Sequence, residues 1–208
     1  MRKKSPDLHG NAPDNSEVAL LLIDVINDLE FEGAERLGEH VLPAAQNIKA
    51  LKQRAKAAGI PAIYVNDNFG KWRSDFKKLV AHVIEDGTRG QEMAELLSPE
   101  DDDYFVLKPK QSGFYSTSLD ILLKHLGTET LILTGVAGDI CVLFTASDAH
   151  IRDYQLVVPS DCVASQDAGE NERVLKYMQR VLEANIQPAS ELNFQKLKRS
   201  DSETAPSD

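Results

Sequence analysis

Cysteine, aromatic side chains and long apolar runs are all scarce in this chain. Its two cysteines in 208 residues, Cys141 and Cys162, are too few for a disulfide scaffold and lack zinc-ligand spacing. The longest fully apolar stretch, Val18 to Ile23, falls far short of a bilayer span. Residues 1–17 have no apolar segment of the kind that marks a secretion signal. Basic residues are outnumbered, 23 against 33 acidic, giving a net charge of −10 with no long basic patch. Such a chain repels a phosphate backbone, so nucleic acid is excluded as a partner. A cytoplasmic, soluble protein with no membrane association is expected. Aromatics make up only 6%, yet 42% of the chain is hydrophobic, enough for one substantial α/β core.

The two ends carry little apolar pattern. Residues 1–17 and 196–208 read as flexible segments flanking a folded domain over 18–195. Within it, apolar runs and helical periodicities alternate. Strands are expected at Val18–Val25, Pro61–Val65, Asp103–Leu107, Thr130–Thr134 and Gln155–Pro159, with a weak sixth near Ile186–Pro188. Helical spacing runs through Ala34–Ala58, where Pro43 is expected to split the helix. It recurs at Phe76–Val83, Gln91–Leu97, Leu119–Leu126, Asp139–Arg152 and Glu170–Ala184. Strands that are apolar on both sides, alternating with helices, imply an α/β fold with a mostly parallel sheet between helix layers. Ligands of such sheets bind beyond the carboxyl ends of the strands.

Those ends carry three chemical groups. Asp24 follows the first strand, Lys108 the third, and Gly135–Cys141 the fourth. Parallel strands bring all three to one edge of the sheet, where an acid, an amine and a thiol make a nucleophilic site. Cys141 falls in the first turn of a helix, whose unpaired amides favour a thiolate, and the Lys108 ammonium favours it further. Asp24 is placed to take the thiol proton and return it to a leaving amine. Amides around Ala137 and Cys141 are placed to hold an oxyanion. A cysteine taken alone is most often a small core residue, and Cys162, without such neighbours, is expected to be structural.

Three blocks resemble the isochorismatase-like cysteine hydrolases, a superfamily that includes nicotinamidases and several amidohydrolases. Asp24-Val25-Ile26-Asn27-Asp28-Leu29 is similar to its Asp-x-Gln-Asn-Asp-Phe block. Leu107-Lys108, Ser112-Gly113-Phe114 and Thr117-Ser118-Leu119 resemble its lysine block. Thr134 through Val142 resembles its Gly-Val-x-x-x-x-Cys-Val nucleophile block. The resemblance covers roughly residues 18–185. It implies a three-layer α/β/α sandwich with Rossmann-like strand order 3-2-1-4-5-6, a Cys141 nucleophile, an Asp24 base and a supporting Lys108. It also implies a non-proline cis peptide at Val136–Ala137 that turns amides toward an oxyanion, and a homo-oligomer, a dimer or tetramer.

Departures from the pattern bear on the substrate. Nicotinamidases carry metal-binding histidines after the second strand, whereas this loop reads Asn66-Asp67-Asn68-Phe69-Gly70-Lys71-Trp72-Arg73. One carboxylate and two amides make a poor transition-metal site, so neither metal nor cofactor is expected. Ile26 stands in place of the usual Gln, and Gly138-Asp139 in place of Thr-Asn or Thr-Asp. Cys141 tilts the activity toward hydrolysis of a C–N bond in a small amide or ureido compound. A different bond of the isochorismatase type, or a scaffold without turnover, remains an alternative. A dinucleotide-binding enzyme would need a glycine-rich turn after the first strand, where Asp24-Val25-Ile26-Asn27-Asp28 stands. Asn68, Phe69, Trp72, Arg73, Phe114 and Tyr115 are candidates for binding the small-molecule substrate, by stacking or by a forked contact to a carboxylate. Trp72, Phe76, Leu79, Val80 and Val83 form an apolar stripe that is a candidate subunit contact.

Overall fold

The computed structural model describes residues 15–70 and 75–198. The expected subunit contact at Trp72 and the binding candidates Trp72 and Arg73 lie outside the described residues, as does most of the N-terminal segment. β1 (Val18–Ile23) is buried along its whole length because its side chains alternate between two cores. Val18, Leu20 and Leu22 enter one; Ala19, Leu21 and Ile23 enter the other. β2 (Ala62–Asp67), β3 (Tyr104–Lys108), β4 (Thr130–Val136), β5 (Gln155–Val157) and β6 (Val163–Ala164) complete the sheet. Every pairing is parallel, and the order is β3-β2-β1-β4-β5 with β6 beside β4.

Helices α1 (Ala34–Ala57), α2 (Phe76–Glu85) and α3 (Gln91–Leu96) cover the first core. The second lies under α4 (Leu119–Leu126), α5 (Leu143–His150) and α6 (Ala168–Val181). A last turn, α7 (Phe194–Leu197), returns Phe194 to the first core. The result is the expected three-layer α/β/α sandwich with a parallel sheet.

Four details differ from the sequence reading. α1 runs through Pro43 unbroken. Burying Leu37, Val41, Ile48 and Leu51 contributes about 6 kcal/mol or more, which outweighs the roughly 3 kcal/mol a helix-interior proline costs. The sixth strand lies not near Ile186–Pro188 but at Val163–Ala164, where β4 outruns the short β5. Near the expected position only Asn185 touches the sheet, through one bridge to Val157. The stripe on α2 faces its own sheet: Phe76 is 4% exposed and stacks on Phe105 with ring centroids 5.1 Å apart. Phe76, Leu79 and Val83 therefore serve as core packing, which removes them as a subunit contact. Finally, the segment before β1 is tied down at Ser16, whose N–H donates to the Leu126 carbonyl at 2.9 Å. Among the described residues no helix is long and apolar enough to cross a membrane.

Candidate active site

The carboxyl ends of β1, β2, β3 and β4 converge because their neighbours in the sheet are in parallel register. Ile23 pairs with Val65 and with Gly135, and Asp67 pairs with Lys108. Gly135 makes the close approach of β4 to β1 feasible. Its φ is +112°, and a Cβ there would strike the Ile23 backbone. Beyond β1 the chain turns sharply at Asp24, φ +51°, a left-handed conformation that Asp tolerates better than most residues. The turn aims its carboxylate back along the sheet edge, where Oδ1 accepts the Asp67 N–H at 2.7 Å.

Lys108, the last residue of β3, has a fully buried side chain whose Nζ lies 2.8 Å from Asp24 Oδ2. The same nitrogen is 3.4 Å from Cys141 Sγ and 3.5 Å from Asp67 Oδ2. An ammonium has three protons to donate, and this one has three acceptors around it. Lys110, two residues on, is exposed and takes no part.

Cys141 arrives by an irregular path. The Val136–Ala137 peptide is cis, and Gly138–Val142 then forms a π-helical turn before α5 begins, replacing the regular helix start expected at Asp139. The Ala137 carbonyl accepts from Ile140 and Val142, on either side of the cysteine. Gly138 has a packing reason that explains the missing Thr. A Cβ there would collide with Asn171 and Val163. Asn171 and Ser165 occupy that space instead, Ser165 Oγ accepting the Asp139 N–H at 3.2 Å and donating to Asn171 Oδ1 at 2.9 Å.

Three supporting residues were not singled out by the sequence. Asn66, fully buried, clamps the loop after β1: its Oδ1 accepts the Ile26 N–H at 3.2 Å, and its Nδ2 donates to the Ile26 carbonyl at 2.7 Å. Thr145 Oγ1 donates to the Cys141 carbonyl at 2.7 Å and accepts the Gly113 N–H at 3.0 Å, so it ties the Cys141 turn to the loop after Lys108. Asp67 completes the ring of acceptors around the ammonium. An ionisable residue where a buried strand ends is the signal that marks Asp24 and Lys108, and it marks Asp67 equally. Asn66 and Thr145 carry no such signal.

The substrate-binding candidates scatter. Asn68 and Phe69 are part-buried beside Asp67, whose Oδ1 accepts the Phe69 N–H at 2.6 Å. Phe114 is turned into the second core, between the Tyr154 ring and the Arg152 guanidinium, 4.8 Å from its centroid. Tyr115 is 57% exposed. The β2 loop is a poor fit for a metal, since both of its amides are engaged and one carboxylate remains. Asn66 holds Ile26, Asp67 faces Lys108 and Phe69, and Asn68 Oδ1 accepts from Gly70. Among the described residues no group of His, Cys, Asp and Glu side chains is placed to hold an ion.

Electrostatically the site does not hold the thiolate expected from the sequence. Burial, and then the Asp24 carboxylate, push the Cys141 thiol up to about 12, against the opposing pull of Lys108. Burial likewise raises Asp24 above the usual carboxylate range, more than Lys108 and the hydrogen bonds to it lower it. Burial works against the charge on Lys108, but Asp24, Cys141 and Asp67 outweigh it and hold its pKa above the ordinary lysine value. These directions favour a thiol hydrogen-bonded to Asp24 over a free thiolate beside Lys108.

A parallel sheet sandwiched between helices gathers an acid, an amine and a thiol at one edge, the makings of a nucleophilic site. The chain belongs to the isochorismatase family: residues 18–187 match the model of the isochorismatase domain. It is 40% identical over 171 residues to the uncharacterized isochorismatase family protein YaaI of Bacillus subtilis, covering 82% of this chain and 93% of that one. It is 29% identical over 183 residues to the ureidoacrylate amidohydrolase RutB of Methylobacterium radiotolerans, covering 76% and 70% of the two chains. Among solved structures, N-carbamoylsarcosine amidase from Thermoplasma acidophilum superimposes with a TM-score of 0.67 at 27% identity, covering 86% of this chain and 99% of that one.

Proposed function

We propose that this protein hydrolyses a C–N bond in a small amide or ureido compound through a thioester on Cys141. The observation that carries the reading is the position of Lys108 Nζ, 2.8 Å from Asp24 and 3.4 Å from the Cys141 sulfur. The amidohydrolase and amidase among its relatives support the bond class. Asp24 accepts the thiol proton as sulfur attacks the carbonyl carbon, and its raised pKa makes it a stronger base than an ordinary carboxylate. The developing oxyanion is taken by the backbone amides of Ala137 and Cys141. Collapse breaks the C–N bond while Asp24 returns the proton to the leaving nitrogen. Water, deprotonated by Asp24, then attacks the thioester; the C–S bond breaks, and the thiol is regenerated by that proton. Lys108 stays protonated throughout, orienting Asp24 and offsetting charge on sulfur. Because the thiol is held protonated at rest, its ionisation coincides with attack on a bound substrate.

Asn68, Phe69 and Tyr115 are proposed to flank the substrate, with Phe114 behind them in the core. The reaction needs no metal in this reading. The protein is proposed to assemble as a homo-oligomer. With the α2 stripe in the core, the face for a second copy is that of Phe144 and Ile151, which are 53% and 75% exposed. They lie seven residues apart on one side of α5 and its C-terminal end, so a two-fold axis through the middle of that face pairs one with the other. Release of ammonia or amine from a panel of small amides and ureido compounds tests the function. Wild-type protein dialysed against EDTA should turn over at least one member, and Cys141→Ala should turn over none. Full activity of Cys141→Ala would overturn the reading.

A further inference from the structure

Lys108, beside the sulfur, lies between Asp24 and Asp67, and the three charged side chains differ in what an incoming molecule can reach. The Lys108 side chain is 0% exposed and that of Asp24 6%, whereas that of Asp67 is 32% exposed. The only positive charge of the cluster is sealed behind its partners, and the charge presented at the surface is a carboxylate. Asp67 Oδ2 is only loosely engaged, 3.5 Å from Lys108 Nζ, a distance that leaves room for a better donor. With two carboxylates against one ammonium, the cluster carries one net negative charge.

We infer that Asp67 determines substrate specificity: it receives an N–H-bearing group, neutral or cationic, next to the scissile carbonyl, and disfavours a carboxylate there. The inference rests on the proposed hydrolase site and assigns the chemistry of its substrate. An amide or ureido nitrogen lying against Oδ2 donates to an anion, a stronger bond than one to a neutral acceptor. It leaves the Asp24–Lys108 pair undisturbed. An anionic group in that position meets Asp67 with no exposed cation of the cluster among the described residues to offset it.

The charge preference can be read without turnover, by disulfide formation at Cys141 with three methanethiosulfonates. The probes are the 2-aminoethyl cation, the neutral methyl compound and the 2-sulfonatoethyl anion. In each case sulfur attacks the probe's sulfenyl sulfur, methanesulfinate leaves, and intact mass gives the rate. Any change in the Cys141 pKa scales all three rates together, so the cation-to-anion ratio isolates the local charge. The wild type should favour the cation by roughly tenfold at low salt. Asp67→Asn should erase most of that preference, and Asp67→Glu, which keeps the charge, should retain it. A wild-type ratio near one, or an equal ratio in Asp67→Asn, overturns the assignment. Should Asp67→Asn fail to fold, the wild-type ratio and Asp67→Glu still decide it. A preserved ratio in a protein that hydrolyses no amide would count against the hydrolase reading alone.

Discussion

β3 has a buried lysine cluster at each end, and the two are built alike. At its start, Lys52 from α1 lies 2.5 Å from Asp103 Oδ2 and 3.2 Å from Glu100, and its Nζ donates to the Tyr64 hydroxyl at 3.1 Å. At its finish, Lys108 meets Asp24, Asp67 and Cys141. Both ammoniums are desolvated and offset by carboxylates. The difference is the third partner. The Tyr64 hydroxyl donates a hydrogen bond to the Leu97 carbonyl at 2.7 Å, and burial holds that hydroxyl well above the usual tyrosine range, so the first cluster ends in a satisfied hydrogen bond. The second ends in a thiol beside a basic carboxylate. Burial of charge in itself marks structure as readily as function; the polarisable thiol and its place at the carboxyl edge separate the two.

Removing each lysine is the strongest way to break that comparison. Lys108→Met should cost about 3–5 kcal/mol of stability in chemical denaturation, because it leaves the buried Asp24 without its counter-charge, and Lys52→Met less, because Lys56 Nζ still lies 3.6 Å from Asp103. Turnover per folded molecule should divide them: a loss of about 1,000-fold for Lys108→Met and a change within roughly threefold for Lys52→Met. Equal losses in both would mean that the Lys108 cluster is a structural ion pair like its counterpart.

The second effect is on pH. Alkylation of Cys141 by neutral iodoacetamide should keep accelerating above pH 9 and level off only as pH approaches 12. A plateau below about pH 8 would restore the preformed thiolate. The sign for stability follows. The folded-state pKa lies above the unfolded one, so the thiol's contribution is fully present below about pH 9 and is lost as pH rises toward 12. Cys141→Ser, with no group titrating there, should lose less stability than the wild type across that window.

The comparison also explains what the sequence alone could and could not convey. Unbroken apolar runs mark where strands end, so Asp24, Lys108 and the loop to Cys141 stand out as ionisable or nucleophilic residues at sheet edges. The layering of the fold follows from the same runs. β6 is two residues long, below any periodicity, and its pairing depends on how far β4 extends. The continuity of α1 through Pro43 is decided by tertiary burial rather than by propensity. Asn66 reads as an ordinary loop amide and Thr145 as a helix residue; only the folded chain brings one to Ile26 and the other between Cys141 and Gly113. The thiol's pKa was least legible, because helix dipole and lysine favour ionisation while desolvation and Asp24, which depend on geometry, prevail.

A smaller effect should come from the tie at Thr145. Thr145→Val keeps the shape but removes the hydroxyl between Cys141 and Gly113, and should lower kcat by about tenfold with KM less affected. Thr145→Ser should restore most of it. Rescue absent in the serine variant would assign the loss to packing instead. Smallest for catalysis is assembly: light scattering should give a mass at least twice the 23.0 kDa chain, and Phe144→Asp should shift it toward the monomer. A monomeric wild type at micromolar concentration would remove the second copy.

The central claim is that the end of β3 with Cys141 is a covalent site and the start of β3 is not. Rapid acid quench of wild-type protein during turnover of any amide it accepts, followed by intact mass and peptide mapping, tests it most directly. The account expects a transient gain equal to the acyl part of the substrate, located on the peptide containing Cys141 and discharged by hydroxylamine. Turnover without that adduct in Cys141→Ala, or an adduct mapped to another residue, would contradict it.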